Sequence, residues 1–347
     1  MLPAPGPQHC IDRRQLLCGA LAAALLAIAL SACDAEAKPL VVGGLPVTCN
    51  LTLPVACVAK AAANGADRGV APQFGFEYSK YSGWPEVKEA LMAGRIQAAY
   101  MLAPLVMDPA DKRIPVKIVS LGHRSGAVIM VRSDSPYRQF KDLTGKLIAI
   151  PKPFCGRLPV PAQDARAGGH DAKGHRDRRD GAARHAGGAV REGGRRLLTG
   201  EPFGAAAQRA GYATVLRMTR DEWRNYICCV LTVREELIKE NRPLVQDLVN
   251  YVLGAGAWLD EQQENRNKAV AIAAGPKYFN QDPNIIRFVM ENPTDRVTYG
   301  DLRMIRDEFE ELMQLSIEAG TLNHPVPYDK YVDESFAQAA HPATIGL

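Results

Sequence analysis

Outside one short segment, the sequence lacks an excess of charge of either sign. The 347 residues carry a formal net charge of +4, to which residues 155–200 contribute +5 and all other residues −1. A basic excess confined to one segment does not assign an acidic partner to the rest of the chain. A chain that is 47% hydrophobic and 23% charged is also not intrinsically disordered, and it is long enough for one large or two moderate domains.

The sequence also lacks an apolar run that spans a membrane comfortably. The uncharged run 16–32 follows Arg13 and Arg14 and has the length of a signal-peptide core. It ends in "LSAC", which resembles the lipoprotein-processing box of bacterial secreted proteins, so Cys33 is the expected lipidation site. A plain signal peptide or an uncleaved anchor is the alternative, and Sec and twin-arginine export both stay open. Asp34 resembles the residue that retains such lipoproteins at the inner membrane.

The cysteines show no spacing that is typical of a metal site. Removal of a signal peptide and lipidation of Cys33 leave Cys49, Cys57, Cys155, Cys228 and Cys229. Export would permit disulfides. Adjacent Cys228 and Cys229 lie in a strand-like run, where side chains alternate in direction, so two small buried side chains are expected. The sequence predicts neither a metal nor a cofactor.

Strand-like and helix-like segments alternate along most of the chain. "PLVVGGLPVTCN" reads as a strand and a loop that caps the helix "LTLPVACVAKAAA", with Thr48 and Asn50 as cap residues. Further strands are predicted at "FGFEYSK", "IQAAYMLAP", "PVKIVSLG", "AVIMV", "KLIAIP", "ATVLRM" and "CCVLTV". Gly94 and Gly320 are expected to end helices. The alternation predicts an α/β fold with a parallel sheet and helices on both faces.

Five motifs in order are similar to one family. "GWPEVKEALMAGRIQAAYMLAP", "LGHRSGAVIMVRSDS", "DLTGKLIAIP", "GEPF" and "ICCVLTVREELI" resemble the periplasmic solute-binding lipoproteins of ABC importers in the nitrate, sulfonate and bicarbonate (taurine-like) group. The resemblance implies a two-lobe periplasmic-binding-protein-like fold of type II, with doubly wound sheets and a ligand cleft between the lobes. The expected organisation is a signal peptide at 1–32, a linker at 33–38, lobe 1 at 39–122 and 246–331, and lobe 2 at 123–245.

The same resemblance implies a function. The chain would bind a small anionic solute without chemistry and pass it to an ABC permease, from a lipid anchor on the periplasmic face of the inner membrane. No nucleic-acid partner is expected. One alternative is an enzyme on the same scaffold, either similar to pyrimidine-precursor synthases or a cysteine-dependent sulfinate hydrolase, with Cys49 or Cys228 near His123. Another is a sensory or interaction lobe that takes no part in transport.

Ligands of open α/β sheets lie beyond the carboxyl ends of strands, where helix N-termini offer free N–H groups. Two such places are Thr48, Cys49 and Asn50, and Ser82, Gly83 and Trp84. Trp84 is the first candidate, because a flat side chain can form a wall of the cleft and the family places an aromatic contact in the matching region. A packing anchor is its alternative role.

Other candidates follow later strands. Met101 and Ala103 end a strand that is expected to face the cleft, and His123 and Arg124 follow the next strand, where a cation could meet an anion. A hinge or surface role is the alternative for this pair. Glu201 in "GEPF" matches a carboxylate that relatives use at the ligand or an associated cation, and a helix-start cap is its alternative.

Residues 155–197 break the pattern. The segment shows neither helical nor strand periodicity, and residues 155–200 contain ten glycines. One codon choice for "HDAKGHRDRRD", read one base later, encodes MTPKDIEIVEM, which resembles the loop and strand that the family has in this place. We therefore hypothesise that 155–197 is translated out of frame, which would leave an aberrant, disordered segment and an impaired copy.

Three other interpretations of this segment are open. A genuine disordered insertion conflicts with the family pattern. A nucleic-acid-binding arm would need aromatic side chains for stacking, which the segment lacks, and it would lie on the wrong side of the membrane. A metal-binding tract would use His170, His175 and His185, but their irregular spacing among glycines preorganises no site.

Overall fold

The computed structural model describes residues 38–66, 74–143 and 196–347. The described strands are β1 (Leu40–Gly44), β2 (Phe76–Lys80), β3 (Ala98–Leu102), β4 (Val116–Leu121), β5 (Arg124–Ser125), β6 (Ala127–Arg132), β7 (Arg196–Gly200), β8 (Ala213–Met218), β9 (Cys229–Arg234) and β10 (Val297–Thr298). Every strand predicted within these residues is present. The predicted strand "KLIAIP" lies outside them.

The described helices surround these strands. They are α1 (Thr52–Ala66), α2 (Trp84–Met92), α3 (Pro104–Asp111), α4 (Phe203–Arg209), α5 (Thr219–Glu222), α6 (Glu235–Glu240), α7 (Arg242–Glu261), α8 (Gln263–Ala274), α9 (Pro283–Glu291), α10 (Arg306–Glu318), α11 (Tyr328–Tyr331) and α12 (Ser335–Gln338), with 3-10 turns at Thr48–Asn50 and Phe140–Leu143. Gly94 and Gly320 follow α2 and α10 with φ of 71° and 69°, which confirms both predicted helix ends.

The first lobe is built on a five-stranded sheet in the order β2-β1-β3-β9-β4. β1 pairs in parallel with β2 and β3, but β9 is antiparallel to both of its neighbours. The predicted parallel pairing is therefore present for β1, β2 and β3, and the prediction was wrong for β9 and β4. β9 is buried along its whole length, as expected of a central strand covered on both faces.

The second lobe is built on a three-stranded antiparallel sheet in the order β7-β6-β8. Val128 and Met130 on β6 pack into one small core with α4, whereas Ile129 and Val131 pack into another with Leu143. This alternation follows from the two-residue period of a strand. It explains why neighbouring residues of "AVIMV" pack into different cores.

A short antiparallel ribbon lies between the two sheets. β5 pairs with β10, with Ser125 opposite Val297 and Arg124 opposite Thr298. Ser125 has a φ of 62° and Gly126 a φ of 83°, so the chain turns sharply as it leaves the ribbon for β6. The ribbon is therefore one of the places where the chain crosses between the lobes.

The lobe boundaries differ from those expected at two places. Residues 229–234 were assigned to lobe 2, but β9 pairs with β3 and β4 in the first sheet because its apolar side chains complete that core. Lobe 1 also continues past residue 331. Val332 forms a bridge with Ile118, and the Ala343 N–H donates to the Asn250 carbonyl oxygen at 2.9 Å.

Several expectations fall outside the described residues. These are the signal peptide at 1–32, the linker and Cys33, and all but the last two residues of 155–197. Residues 196 and 197 pair with β6 as part of β7. Within 38–66, 74–143 and 196–347, no helix combines the length and the apolar character that a membrane span requires.

Candidate functional site

The loop after β1 forms a buried turn whose polar side chains do not cap α1. The Thr48–Asn50 turn has Val47 before it, without a side-chain cap, and α1 begins only at Thr52. Asn50 Oδ1 accepts a hydrogen bond from the Leu45 N–H at 2.8 Å, so this side chain closes the loop on itself. The expected capping role of Thr48 and Asn50 was therefore wrong, although both side chains are fully buried.

The two lobes meet at this turn. The Thr48 N–H donates to the carbonyl oxygen of Glu201 at 2.9 Å, and the Glu201 N–H donates to the carbonyl oxygen of Gly126 at 3.0 Å. The Gly126 N–H in turn donates to Arg296 O at 3.2 Å, and Tyr299 Oη donates to Thr48 O at 2.8 Å. We call Thr48, Asn50, Glu201, Arg296 and Tyr299 the interlobe site.

A buried ion pair lies within the interlobe site. Arg296 Nε donates to Glu201 Oε1 at 2.6 Å, and Arg296 Nη2 lies 2.5 Å from the same oxygen. The side chains of Glu201 and Arg296 are 0% and 1% exposed. Glu201 Oε2 also accepts from the Ala205 N–H at 2.9 Å, in the first turn of α4. The carboxylate therefore acts as the helix-start cap that was one of the two roles considered for Glu201.

Burial raises the pKa of Glu201, and the positive charge of Arg296 opposes this shift. Arg296 Nη1 also donates to the Asn292 carbonyl at 2.9 Å and to Gln208 Oε1 at 3.3 Å, whereas Nη2 has no partner in hydrogen-bond geometry among the described residues. The net charge of the pair is zero. The carboxylate therefore repels a nearby anion only weakly, whereas an unpaired Glu201 carboxylate would repel it strongly.

Three polar atoms of the interlobe site have no hydrogen-bond partner among the described residues. They are Thr48 Oγ1, Asn50 Nδ2 and Arg296 Nη2, and all three are buried. Asn50 Nδ2 lies beside the Cys229 side chain without a hydrogen bond of good geometry. Buried polar groups are nearly always paired with protein or ordered water, so these atoms, which lie together at the contact between the lobes, are free to bond a water or a ligand there.

A cluster of thiols lies directly beneath the Thr48–Asn50 turn. One ligand atom from each of Cys49, His123 and Cys228 lies within 4.8 Å of the others. Cys229 also contacts Cys49, so the adjacent residues Cys228 and Cys229 both lie against Cys49. Cys228 and Cys229 are both buried, as expected. We call Cys49, His123, Cys228 and Cys229 the thiol cluster. No disulfide joins cysteines in the described part of the chain.

Cys49, His123 and Cys229 of the thiol cluster are held in their neutral forms. The hydrogen bond between Cys228 and Cys49, together with burial, raises the pKa of the Cys49 thiol, and burial raises that of Cys229. Burial lowers the pKa of His123 to about 3. His123 Nε2 accepts from the Cys229 N–H at 3.2 Å and Nδ1 lies 3.3 Å from Arg124 O, so the neutral tautomer with the proton on Nδ1 satisfies both contacts.

Arg124 has a structural role in the ribbon. Its Nε donates to Asp301 O, its Nη2 to Arg303 O, and its Nη1 to both Asn225 O and Glu308 Oε2, at 2.7–2.8 Å. Four of the five N–H groups of the guanidinium are thus used within the protein. The hinge alternative considered for Arg124 fits this geometry, and an exposed cation in the cleft does not.

Ser82 makes its side-chain hydrogen bonds with the first turn of α2 rather than with the interlobe site. Both carboxylate oxygens of Glu86 accept from Ser82 Oγ at 2.7–2.8 Å, and the Ser82 N–H donates to Oε2 at 3.1 Å. A carboxylate therefore already occupies the place where a bound anion was expected, at the start of α2. Trp84 is half-buried and packs against the first core, as its alternative role required.

Met101 and Ala103 are buried in the first core rather than exposed to a cleft. Met101 is 1% exposed and pairs with Val230 in the sheet, while Ala103 is fully buried before Pro104 starts α3. Neither side chain offers a surface to a ligand in this arrangement.

Sequence reasoning missed Arg296 and Tyr299. Arg296 directly precedes β10 and Tyr299 directly follows it. Both lie in "DRVTYG", which carries no recognisable motif. The one available signal was an arginine next to a strand in a helical region, which is too common to single out.

Part of the chain matches a known family. Residues 196–274 match the model of the NMT1-like family, and this match covers much less than half of the chain. A search of curated proteins found no match to the sequence.

The fold is similar to that of many solved structures. The ligand-binding component of an ABC-type import system from Staphylococcus aureus, solved with zinc bound, is 22% identical, with a TM-score of 0.71 over 88% of this chain and 100% of that one. The periplasmic nitrate-binding protein NrtA from Synechocystis PCC 6803 is 17% identical, with a TM-score of 0.69 over 88% of each chain. The alkanesulfonate-binding protein SsuA from Xanthomonas axonopodis pv. citri, bound to MOPS, is 16% identical, with a TM-score of 0.64 over 87% of this chain and 100% of that one.

These likenesses define the class of the fold. The chain has the two-lobe α/β fold of periplasmic binding proteins, as the sequence motifs predicted. The NMT1-like match falls on the part of the chain that includes "GEPF" and "ICCVLTVREELI", two of the motifs on which the resemblance was based.

Proposed function

We propose that this chain is the substrate-binding component of an ABC import system for a small anionic solute of the nitrate, sulfonate or bicarbonate class. The solute binds between the lobes and undergoes no reaction. The chain then delivers it to a permease in the inner membrane, from the periplasmic face, where lipid on Cys33 anchors it.

The observation that carries the proposal is the pair of unpartnered polar atoms on the Thr48–Asn50 turn, at the contact between the lobes. Thr48 Oγ1 and Asn50 Nδ2 are buried where the Thr48 N–H meets Glu201 O, and both can donate to an oxyanion. Arg296 neutralises Glu201, so the adjacent carboxylate does not oppose an anion. Solved proteins of this fold that bind nitrate or alkanesulfonate support the class of ligand.

A thermal-shift panel tests the proposal on the full chain. Sodium nitrate, sodium bicarbonate and sodium ethanesulfonate are compared with sodium chloride at equal ionic strength. A ligand that binds only the native state raises Tm in a saturable way. We expect one of the three to do so, and chloride not to.

A matched pair of variants locates the binding. Thr48→Val removes a hydroxyl from the interlobe site, whereas Thr232→Val removes an equally buried and unpartnered hydroxyl from the middle of β9. A hydrogen bond to a charged ligand contributes about 1.5–3 kcal/mol, so Thr48→Val should weaken binding by roughly 10-fold or more. Equal affinities of the two variants, or no shift with any anion, would count against the proposal.

A cysteine-dependent hydrolase is the second candidate, because Cys49, Cys228 and His123 do lie together. The geometry gives it little support. The Cys49 thiol donates to Gly126 O at 3.5 Å, and the acceptor nitrogen of His123 is used by the Cys229 N–H. We expect iodoacetamide to label Cys49 slowly at neutral pH, because the thiol is buried and its pKa is raised. Rapid labelling of Cys49 alone would favour the enzyme.

We also propose that this copy is impaired because residues 155–197 are out of frame. Both β7 and the NMT1-like match begin at residue 196, beside the predicted end of that segment. Sequencing of the locus tests this, since a base gained or lost near each boundary is required. If both are found, the frame-restored chain is expected to bind the anion more tightly than the chain as written.

A further inference from the structure

The thiol cluster has the composition of a metal site that no part of the proposed function uses. Its three closest ligands come from three separate places in the first lobe and the ribbon. Cys49 is in the turn after β1, His123 is between β4 and β5, and Cys228 directly precedes β9. The pairing of Leu121 with Val230 brings the last two together.

We propose that Cys49, His123 and Cys228 bind a zinc ion. Two thiolates and one imidazole are donors that Zn²⁺ prefers. At a Zn–S distance of about 2.3 Å, tetrahedral geometry places two sulfur ligands roughly 3.8 Å apart. The ligand atoms already lie within 4.8 Å of one another, so side-chain movements of about 1 Å complete the set.

Charge favours a divalent ion over a monovalent one. Zn²⁺, two thiolates and a neutral imidazole sum to zero, which suits a cluster whose members are at most 7% exposed. Low dielectric surroundings keep His123 neutral, which is the form that binds a metal. Binding releases the two thiol protons, so the affinity rises with pH.

A second shell for the imidazole is also present. In the tautomer that satisfies both contacts, His123 Nδ1–H faces the Arg124 carbonyl oxygen at 3.3 Å. Metal-binding histidines commonly donate their other N–H to a backbone carbonyl in this way. Nε2 would then take the metal in exchange for the hydrogen bond from the Cys229 N–H.

The backbone at Gly126 packs closely against the cluster. A Cβ atom at Gly126 would lie 3.0 Å from Cys49 Sγ and 3.3 Å from His123 Cε1. Only glycine fits there without a shift of these ligands, so the backbone of the second lobe packs directly on the site.

Cobalt substitution tests the proposal on the full chain, purified reduced and free of metal. One equivalent of Co²⁺ is expected to produce the intense sulfur-to-cobalt charge-transfer absorption of a thiolate site, and Zn²⁺ to displace it. Cys155 lies in the same segment as His170, His175 and His185 and supplies a sulfur there, so Cys155→Ser is a further control that should keep the band. Cys49→Ser and Cys228→Ser should each weaken binding by at least about 100-fold, more than loss of a second-shell partner does.

Cys57→Ser is the matched control. Cys57 is a buried thiol in α1, with its pKa raised to about 12 by burial, and it is not part of the thiol cluster. The control variant should keep the full band. A band that survives Cys49→Ser, or one that Cys57→Ser removes equally, would overturn the proposal.

Thiol protection supplies a measurement that needs no variant. The wild-type chain is alkylated in mild denaturant with and without Zn²⁺, and the labelled peptides are quantified by mass spectrometry. Zn²⁺ should slow labelling of Cys49 and Cys228 at least about 10-fold more than labelling of Cys57, which the metal protects only through the stability of the whole fold. Equal labelling rates with and without the metal would refute the site.

Discussion

The buried pair Glu201–Arg296 gives the sharpest stability prediction. Arg296→Met keeps much of the side-chain volume but leaves the Glu201 carboxylate, 0% exposed, without its positive partner. Removal of one member of a buried ion pair destabilises a protein by about 3–5 kcal/mol. At about 2–4 °C per kcal/mol, Tm should fall by roughly 6–20 °C.

The same pair allows an internal check. Glu201→Met combined with Arg296→Met removes both charges, so most of the loss should be recovered, because hydrophobic replacement of a whole buried pair is often neutral. Arg303→Met breaks the exposed pair of Arg303 with Asp301 and should leave Tm unchanged within error. Thermal denaturation followed by circular dichroism measures all three. A shift below about 2 °C for Arg296→Met, or a double variant no more stable than the single one, would refute the reasoning.

Three further outcomes are expected. Gly126→Ala should lower the free energy of unfolding by about 1–3 kcal/mol more than Gly211→Ala does. Both glycines have positive φ, but only at Gly126 does the added Cβ crowd Cys49. Equal losses of unfolding free energy in chemical denaturation would contradict this. Burial lowers the pKa of His123 to about 3, so only the unfolded chain gains this proton between pH 6.5 and 3. The contribution of His123 to the free energy of unfolding should therefore fall by about 2 kcal/mol from pH 7 to pH 5, and His123→Gln should flatten that fall. The raised pKa of Glu201 acts in the opposite direction, and it does so equally in the wild type and in His123→Gln. Finally, the chain as written should melt at low temperature or in a broad transition, and a cooperative melt at high temperature would contradict an impaired second lobe.

The strands and the fold class could be predicted because each depends on local periodicity. "AVIMV" and "ATVLRM" became β6 and β8 almost without change, since short apolar runs rich in β-branched residues are a local signal of a strand. The direction of β9 could not be predicted. Antiparallel pairing of "CCVLTV" depends on how the chain returns from the second lobe, and no local pattern encodes that path.

The interlobe site was found only in part for the same reason. Thr48, Asn50 and Glu201 follow strands and could be picked by position. Arg296 lies 95 residues from its partner Glu201, and only the folded chain brings them together. Arg124 shows the opposite error. An arginine that follows a strand suggests an anion-binding site, but the guanidinium of Arg124 donates to backbone carbonyl oxygens far along the chain.

The thiol cluster illustrates how little spacing says about a site assembled from distant segments. Its members Cys49, His123 and Cys228 are separated by dozens of residues, and metal-site motifs are defined by short intervals. Sheet pairing between β4 and β9 supplies the proximity that no motif shows.

The central claim is that a small anion binds between the lobes at Thr48. Isothermal titration calorimetry tests it most directly, with the anion that gives the largest thermal shift titrated into the wild-type chain, Thr48→Val and Thr232→Val. The account predicts one site per chain, with a roughly 10-fold or greater loss of affinity in Thr48→Val and wild-type affinity in Thr232→Val. If the wild-type chain gives no saturable heat with this anion, or if Thr48→Val binds it as tightly as the wild type, the account is contradicted.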